Sequence, residues 1–368
     1  MSTMEYCIDF VNCLDSDTSV KILMCLDDPA DLVRVSCVSR SWRHCVIANG
    51  LCKQLCLRMF PQLSRVARVV ELDEQVAKEQ MEVGSSNFME WLGLERDHRI
   101  YAYLARASTT SVAVNCISKT IGASSTDNFP EEGIDNTLDP RDIIAGNYFY
   151  WSSKGQRNPN VPETLTYELV SQICVVTEIN IQPFQANFQM WAPIYSSKSV
   201  RLKMGHRKTC LDTSDDEKFV WTYTSPEFPM AQENRLQKFK LPEPVLCIGG
   251  ILQIELLGRV QRQEMDDLFY ICISYVKVIG FSLSPAFSVE ILDPSGLFEL
   301  KSGKQARCQH LLNSAKESGT NSYDNVQMAL RDFPQIVNIL REHVVGLVEH
   351  EWDEEEYEGD DFEEEYAL

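Results

Sequence analysis

Val38-Ser39-Arg40-Ser41-Trp42-Arg43 is the stretch on which the reading of this chain depends. It sits inside a run of short segments that each carry helix start signals and an apolar stripe. Upstream are Asp17-x-x-Val20-x-Ile22-Leu23-x-x-Leu26 and Asp28-Pro29-x-Asp31-Leu32-x-Arg34-Val35, and downstream is Leu51-x-x-x-Leu55. Asp17 is expected to cap the first helix, with Ile22, Leu23 and Leu26 on one side of it. Asp28 caps the second and Pro29 takes its first position, where the missing N–H would have had no intrahelical partner. Asp31 then places negative charge where the helix dipole favours it. In the third segment Trp42 anchors a basic helix bearing Arg40, Arg43 and His44, and in the fourth Leu51, Leu55 and Phe60 precede the break at Pro61. This region has no residue set suited to catalysis and is too small to enclose a substrate. It can present an apolar helical face to another protein.

The order and spacing of these segments resemble the F-box, the three-helix module that binds the Skp-type adaptor of cullin–RING ubiquitin ligases. The resemblance spans residues 11–60. Its most specific part is Val38 to Arg43, where many F-boxes read V-[CS]-[KR]-x-W-[KR]. Leu14 falls on the leucine of the family's opening Leu-Pro pair, and Asp15 stands where the proline is usual. Carried over position by position, the resemblance implies an adaptor-binding set of Leu14, Ile22, Leu23, Leu26, Pro29, Leu32, Val35, Val38, Arg40 and Trp42. It also implies a cullin reached through the adaptor and a subunit with no catalysis of its own. The plainer alternative is a helical bundle without a partner.

Composition fits such a role. With 368 residues, 44% of them apolar, the chain has material for more than one further domain. Met1 to Phe10 carries only acidic charge, so no secretory signal is expected, and no uncharged apolar run reaches membrane-spanning length. Seven of the 13 cysteines fall in the first 56 residues, the total is odd, and no CxxC pair exists. Cys52 and Cys56, like His206 and Cys210, are two ligands each and do not make a metal site. Reduced cysteines buried in cores account for them, with no metal and no cofactor, in a cytoplasmic or nuclear compartment.

Residues 61–110 read as a helical linker: Val66, Val69, Val70, Val76 and Met81 recur at helical spacing up to Gly84, and a second apolar stretch runs from Trp91 to Leu104. Between residues 111 and 284 the period becomes two. Val175, Thr177, Ile179 and Ile181 alternate with Val176, Glu178, Asn180 and Gln182; Val200-Leu202-Met204, Leu252-Ile254-Leu256 and Phe269-Ile271-Ile273-Tyr275 repeat the pattern. Such runs, separated by turn-forming residues, predict an antiparallel β-sandwich with one buried face per sheet, Trp151 and Trp221 being in its core.

The succession Ala123-Ser124-Ser125, Trp151-Ser152-Ser153 and Val276-Lys277-Val278-Ile279-Gly280 is similar to the discoidin-like (galactose-binding-like) jelly roll. An F-box followed by this arrangement also resembles an uncharacterised group of plant F-box proteins. Recognition in such a fold is expected at the loops of one end. The loop from Pro183 to Ser197 concentrates Phe184, Phe188, Trp191 and Tyr195 with Gln185, Asn187 and Gln189. Of these, Asn187, Phe188, Gln189, Trp191 and Tyr195 are the candidate target contacts, since aromatic faces beside amides can stack on a sugar or anchor a peptide. Filling the sandwich end is an equal reading for Phe184 and Tyr195. The loop from Ser125 to Asp142 is acidic, and its carboxylates serve either Ca²⁺ or solvation.

No G-x-S-x-G, P-loop or H-E-x-x-H motif appears, and with only 6 histidines none stands beside a Ser or Cys as a nucleophile's base. Beyond Pro285, a turn at Pro294-Ser295-Gly296 and a stripe of Ile336, Val337, Leu340, Val344 and Leu347 predict a helical extension over 285–348. Residues 349–368 hold 12 of the 54 acidic side chains and no Lys or Arg, leaving −8 of the net −20 for the rest. That composition predicts a disordered tail and opposes nucleic-acid binding. The expected whole is a multidomain α+β chain. It is read as the target receptor of an SCF-type ligase, with an unknown protein or glycoprotein target and no membrane. The rival reading, suggested by Asp15, is a carbohydrate-binding, lectin-like module behind a degenerate F-box.

Overall fold

The computed structural model describes residues 10–72, 86–140, 143–144, 147–208, 218–293 and 295–303. Five short helices open the chain: α1 Phe10–Cys13, α2 Ser16–Leu23, α3 Pro29–Ser36, α4 Arg40–Ala48 and α5 Leu51–Met59. Each break has a local cause. Asp28 accepts from the Ala30 N–H at 2.8 Å to start α3, and Ser39 accepts from the Trp42 N–H at 3.3 Å to start α4. Gly50, at φ 58°, takes the left-handed turn between α4 and α5. The cap of α2 is Asp15, not Asp17: its carboxylate accepts from the Thr18 N–H at 2.9 Å and the Thr18 hydroxyl at 2.7 Å. Ser16 is already helical, which leaves Asp17 in the first turn.

The expected helical linker is corrected over its first part. After a 3-10 turn at Pro61–Arg65, residues Val66–Glu71 form strand β1. A valine-rich run suits a strand as well as a helix, and here a remote partner decides: Val69 lies opposite Leu300, and Arg68 pairs with Glu299. Val76, Met81 and Gly84 lie outside the described residues. The second stretch is a helix, α6 Ser86–Thr110, but it is no free stalk. Ile100, Tyr101, Leu104 and Ala105 are buried in one core with Leu51, Leu55 and Cys56, and the Cys56 thiol donates to the Tyr101 carbonyl at 3.1 Å.

The β region is an antiparallel sandwich. Its strands are β2 Val114–Asn115, β3 Ile117–Ala123, β4 Ile143–Ile144, β5 Asn147–Tyr148, β6 Trp151–Ser152, β7 Glu163–Leu169, β8 Ile173–Gln185, β9 Ile194–Tyr195, β10 Ser197–Arg207, β11 Phe219–Thr224, β12 Phe228–Pro229, β13 Gln237–Ile248, β14 Ile251–Arg259 and β15 Cys272–Ser282. One sheet runs β11-β10-β14-β7-β3 and the facing sheet β13-β8-β15-β2. Their inner faces bury Trp151, Leu165, Tyr167, Ile179, Leu202, Ile254 and Val278 in one core. Trp151 is fully buried, its indole N–H donating to the Ser125 carbonyl at 3.0 Å, whereas Trp221 is only half-buried.

Two further expectations are corrected. The alternation on β8 does not keep Val175, Thr177, Ile179 and Ile181 on one side. Pairing registers shift beside Thr177 and Glu178, so Val176, Ile179 and Ile181 face the sandwich core. One extra residue in a strand flips the phase of everything beyond it. Nor does the β13-β8-β15 sheet have a single buried face. Ile173, Val175, Leu246, Ile248 and Phe281 are buried on its other side, in the core that also holds the helices.

That second core is completed by residues expected to be helical. β16 Phe287–Ile291 and β17 Phe298–Ser302 form a hairpin, and β17 pairs with β1 in parallel. Of the turn expected at residues 294–296, Ser295 and Gly296 are described and lie between the two strands: the Asp293 carboxylate accepts from Ser295 N–H at 2.9 Å and Leu297 N–H at 3.2 Å, and Gly296 has φ 83°. Alternating Phe287, Val289 and Phe298, Leu300 are buried, which is a strand pattern rather than a helix stripe. The rest of the expected helical extension and the acidic tail lie outside the described residues. Among those residues, no helix is long and apolar enough to cross a membrane.

Candidate functional site

Two places offer chemistry to another molecule: the outer face of the N-terminal helices and one end of the sandwich. On the helical module the ten candidate contacts separate by burial. Leu23, Pro29 and Leu32 are buried, so these three hold the module together and are not available to a partner. Leu26, Val35 and Trp42 are half-buried against the same core. Leu14, Ile22 and Val38 are 39%, 43% and 61% exposed, and Arg40 is exposed beside them in sequence. Val33 on α3 is exposed as well, although its position gave no signal in the sequence.

Position 15 is where the sequence departs from the F-box pattern, and the backbone explains how the departure is tolerated. Asp15 has φ −66° and ψ 157°, the extended conformation that a proline ring would fix. Aspartate adds the side-chain cap on Thr18 that proline cannot make. Those bonds hold its carboxyl below the usual range, the Thr18 hydroxyl being the largest cause. The turn that presents Leu14 is therefore built by a different residue in the same geometry.

Two ties fix the module from behind. Arg58 on α5 donates to the carbonyls of Met24 at 2.8 Å and Leu26 at 3.1 Å and to the Asp27 carboxylate at 3.0 Å, closing the turn after α2. On α4, the His44 ring stacks on Trp91 at 4.9 Å and Arg43 pairs with Glu95 at 3.3 Å, both on α6. The basic helix thus spends two of its cationic or ring groups on α6 and leaves Arg40 outward. Sequence reasoning missed these ties because their partners lie 31 to 52 residues away.

At the sandwich end, β8 runs out at Gln185 and the chain returns through β9. The intervening loop is closed by its own bonds: Ala186 N–H to Pro193 O at 2.9 Å, Gln189 N–H to Ala186 O at 3.0 Å, Ala192 N–H to Gln189 O at 3.0 Å, and Gln185 Nε2 to Ala192 O at 3.1 Å. Trp191 and Ala192 take positive φ, 68° and 44°, a conformation uncommon for residues other than glycine. The result is a rigid tip from which the Trp191 indole stands 83% exposed, with Met190, Phe188 and Asn187 also outward. Tyr195 is corrected from candidate contact to support. It is buried, and its hydroxyl donates to Gln189 at 2.6 Å, holding the tip from below.

Beneath the tip lies a small aromatic cluster. Tyr150 stacks on Phe184 at 3.8 Å, Tyr148 meets both Phe184 and Phe188, and Tyr195 meets Tyr270 edge-on at 6.4 Å. Tyr150 donates to Glu132 at 2.7 Å and Tyr270 to Asp266. Burial pushes the Tyr195 hydroxyl up to about 12 and raises Tyr150 and Tyr270 further, so all three stay protonated donors. At Gly155 a Cβ would meet the Tyr270 ring end at 2.6 Å, so a larger residue there would have to push the ring aside.

The loops that make this end are tied by Arg259, whose side chain is fully enclosed. It donates to the Ser153 hydroxyl at 2.8 Å and to the carbonyls of Lys154, Phe269 and Val161 at 2.9, 3.0 and 3.2 Å, and it pairs with buried Glu163. All three guanidinium nitrogens donate, and together they join three segments of chain. Arginine at the last residue of β14 gave no signal of this in the sequence.

The N-terminal module, with its capped short helices, buried Leu23 and Leu32 and half-buried Trp42, matches the F-box-like family over residues 16–58. The chain is 48% identical over 363 residues to F-box protein At4g00755 of Arabidopsis thaliana, covering 95% of this chain and 96% of the relative. The protein belongs to the F-box protein family. Among solved structures, a family 32 carbohydrate-binding module of Clostridium perfringens NanJ, described in complex with galactose, is similar at 13% identity over 46% of this chain and 99% of its own, with TM-score 0.31. A fucolectin from striped bass (Morone saxatilis) serum is similar at 12% identity over 50% of this chain and 58% of its own, with TM-score 0.31.

Proposed function

We propose that this F-box protein is the target-recognition subunit of an SCF-type ubiquitin ligase. Leu14, Ile22, Val33, Val38 and Arg40, with the half-buried Leu26, Val35 and Trp42 behind them, dock a Skp-type adaptor and through it a cullin. The loop end of the sandwich, with Asn187, Phe188, Gln189 and Trp191, binds the target protein. The observation that carries this reading is the exposure of apolar Leu14, Ile22 and Val38 on a module whose core is complete without them. Exposed aliphatic side chains on a helical module are the kind of surface that a protein partner covers. The protein acts without catalysis of its own, and it works in the cytoplasm or nucleus, where its free cysteines stay reduced.

The test is reconstitution of the ligase. With adaptor, cullin and RING subunit present, the full chain should support ubiquitin transfer to proteins it captures, and the Ile22→Asp/Val38→Asp variant should not. Equal transfer by both forms would remove the adaptor role. A second reading keeps a sugar as the ligand: the tip sets Trp191 beside Asn187 and Gln189, as a stacking sugar site does. Saturable binding of a neutral oligosaccharide, abolished by Trp191→Ala, would favour it.

A further inference from the structure

The sandwich end carries surplus negative charge beside its exposed apolar tip. Asp127 and Glu132 come from the loop after β3, and Glu264 and Asp266 from the loop before β15. Both loops reach the tyrosines: Glu132 accepts from Tyr150 at 2.7 Å and Asp266 from Tyr270. Asp127 is held above the usual carboxylate range, first by partial burial and then by the charges of Glu132 and Asp266, with Lys154 acting against them. Tyr195, under the tip, is raised by burial and, to smaller degrees, by Asp266 and Glu264. Arg259 is spent on buried Glu163 and Arg262 is paired with Asp267, so of the nearby cations Lys154 and Arg157 offset the four carboxylates only in part. Arg157 is exposed on the neighbouring loop. The apolar side chains next to this field are Phe188, Met190 and Trp191, and Met265 between Glu264 and Asp266 is also exposed.

The two halves are continuous. Phe188 contacts Tyr148, Tyr148 and Tyr150 contact Phe184, and Tyr150 reaches Glu132; on the other side Tyr195 joins Gln189 to Tyr270 and so to Asp266. The tip and the two carboxylate-bearing loops thus rest on one aromatic cluster at the same end of the sandwich. Lysine and arginine side chains combine the two requirements, because their stems pack on apolar and aromatic surface while their heads take charge and cation–π contacts. A neutral sugar can donate its hydroxyls to single carboxylates but has no net charge for the surplus to attract, and an anionic glycan or nucleic acid is repelled by it.

We propose that this end docks a lysine- or arginine-bearing segment of the target protein, with Trp191, Met190 and Phe188 covering its stems and Asp127, Glu132, Glu264 and Asp266 its charged heads. The inference rests on the reading of the sandwich as the target-binding part of a ligase receptor. It names the chemistry of the segment that such a receptor selects.

The experiment pans a random dodecapeptide display library on the full chain held in complex with a Skp-type adaptor. Enriched peptides are expected to carry a net positive charge. Synthetic copies should bind about tenfold more weakly to the Asp127→Asn/Glu264→Gln variant and to Trp191→Ala, and binding should weaken as salt rises. Enrichment of neutral or acidic peptides, no enrichment, or affinity unchanged in both variants overturns the proposal. A neutral oligosaccharide that competes for Trp191 while no cationic peptide does also overturns it. Adaptor retention is read in the same samples. Its loss counts against the receptor reading, whereas retained adaptor without cationic selection defeats this inference alone.

Discussion

Val175 and Val176 are consecutive on β8 and both fully buried, yet they belong to different cores. Val176 faces the sandwich interior. Val175 faces α5, α6 and the β16–β17 hairpin, in company with Leu55, Leu104, Phe287 and Leu300. One sheet is thus a wall shared by the helical module and the sandwich. Under the proposed receptor role this matters directly, because a shared core fixes the direction in which the loop end points relative to the N-terminal helices.

The shared core predicts cooperative unfolding of the described body. Phe287 is fully buried and its ring meets Tyr103 of α6 at 5.3 Å. Phe287→Ala should cost about 3–5 kcal/mol, as for other buried aromatics cut to alanine. Calorimetry should show one transition for the wild-type helices and sandwich, and the variant should separate them into two. Two resolved transitions in the wild type would mean that the shared wall does not couple them.

Asp15 predicts a residue-specific pH effect. Its folded pKa lies below the ordinary value of an aspartate, first because of the Thr18 hydroxyl bond, so its support of α2 is fully present above that ordinary value and is lost as pH falls through the lower folded one. Asp15→Asn keeps a cap without the titration, and Asp15→Pro keeps the backbone angle without the cap. Both should fold and retain adaptor affinity at neutral pH. Helix content followed by circular dichroism under acid should show the Asp15 contribution missing from the Asn variant.

Arg259 predicts a stability effect that spreads through the loops. Arg259→Met leaves Glu163 buried without its counter-charge, a change that costs roughly 3–5 kcal/mol in comparable sites. Arg259→Lys should recover little of it, since an ammonium cannot reproduce a planar fork joined to five partners. Denaturant unfolding measures the loss, and protease cleavage near Lys154 and Arg262 reports whether the loops have come apart.

Trp191 predicts the opposite separation. An indole exposed to 83% carries little folding energy, so Trp191→Ala should change stability by no more than about 0.5 kcal/mol. Gly155→Ala should damage the site from beneath by displacing the Tyr270 ring. Thermal melts set beside ligand binding distinguish the two: binding lost with stability kept for Trp191→Ala, both reduced for Gly155→Ala.

Much of the architecture was legible because it is written in local signals. The Asp28-Pro29 start, the Trp42 helix and the period-two runs at Val200 and Leu252 each specify an element within a few residues. What was not legible depends on distant partners. Val66 to Glu71 is a strand only because Phe298 to Ser302 lies beside it, and the hairpin containing Phe287 is stabilised by helices that precede the sandwich. The phase change at Thr177 comes from an extra residue that alternation alone cannot place. At the candidate sites, Trp191 and Val38 are exposed, while burial removes Leu23, Pro29, Leu32 and Tyr195 from contact. Arg259 gave no signal, since an isolated arginine looks the same whether buried or solvated.

The central claim is adaptor docking, and co-expression with a Skp-type adaptor followed by size-exclusion chromatography tests it most directly. The account predicts a stoichiometric complex with the full chain and its loss on Ile22→Asp/Val38→Asp, with an unchanged melting temperature for the variant. A wild-type chain that elutes free of adaptor, or a variant that still carries it, would contradict the account.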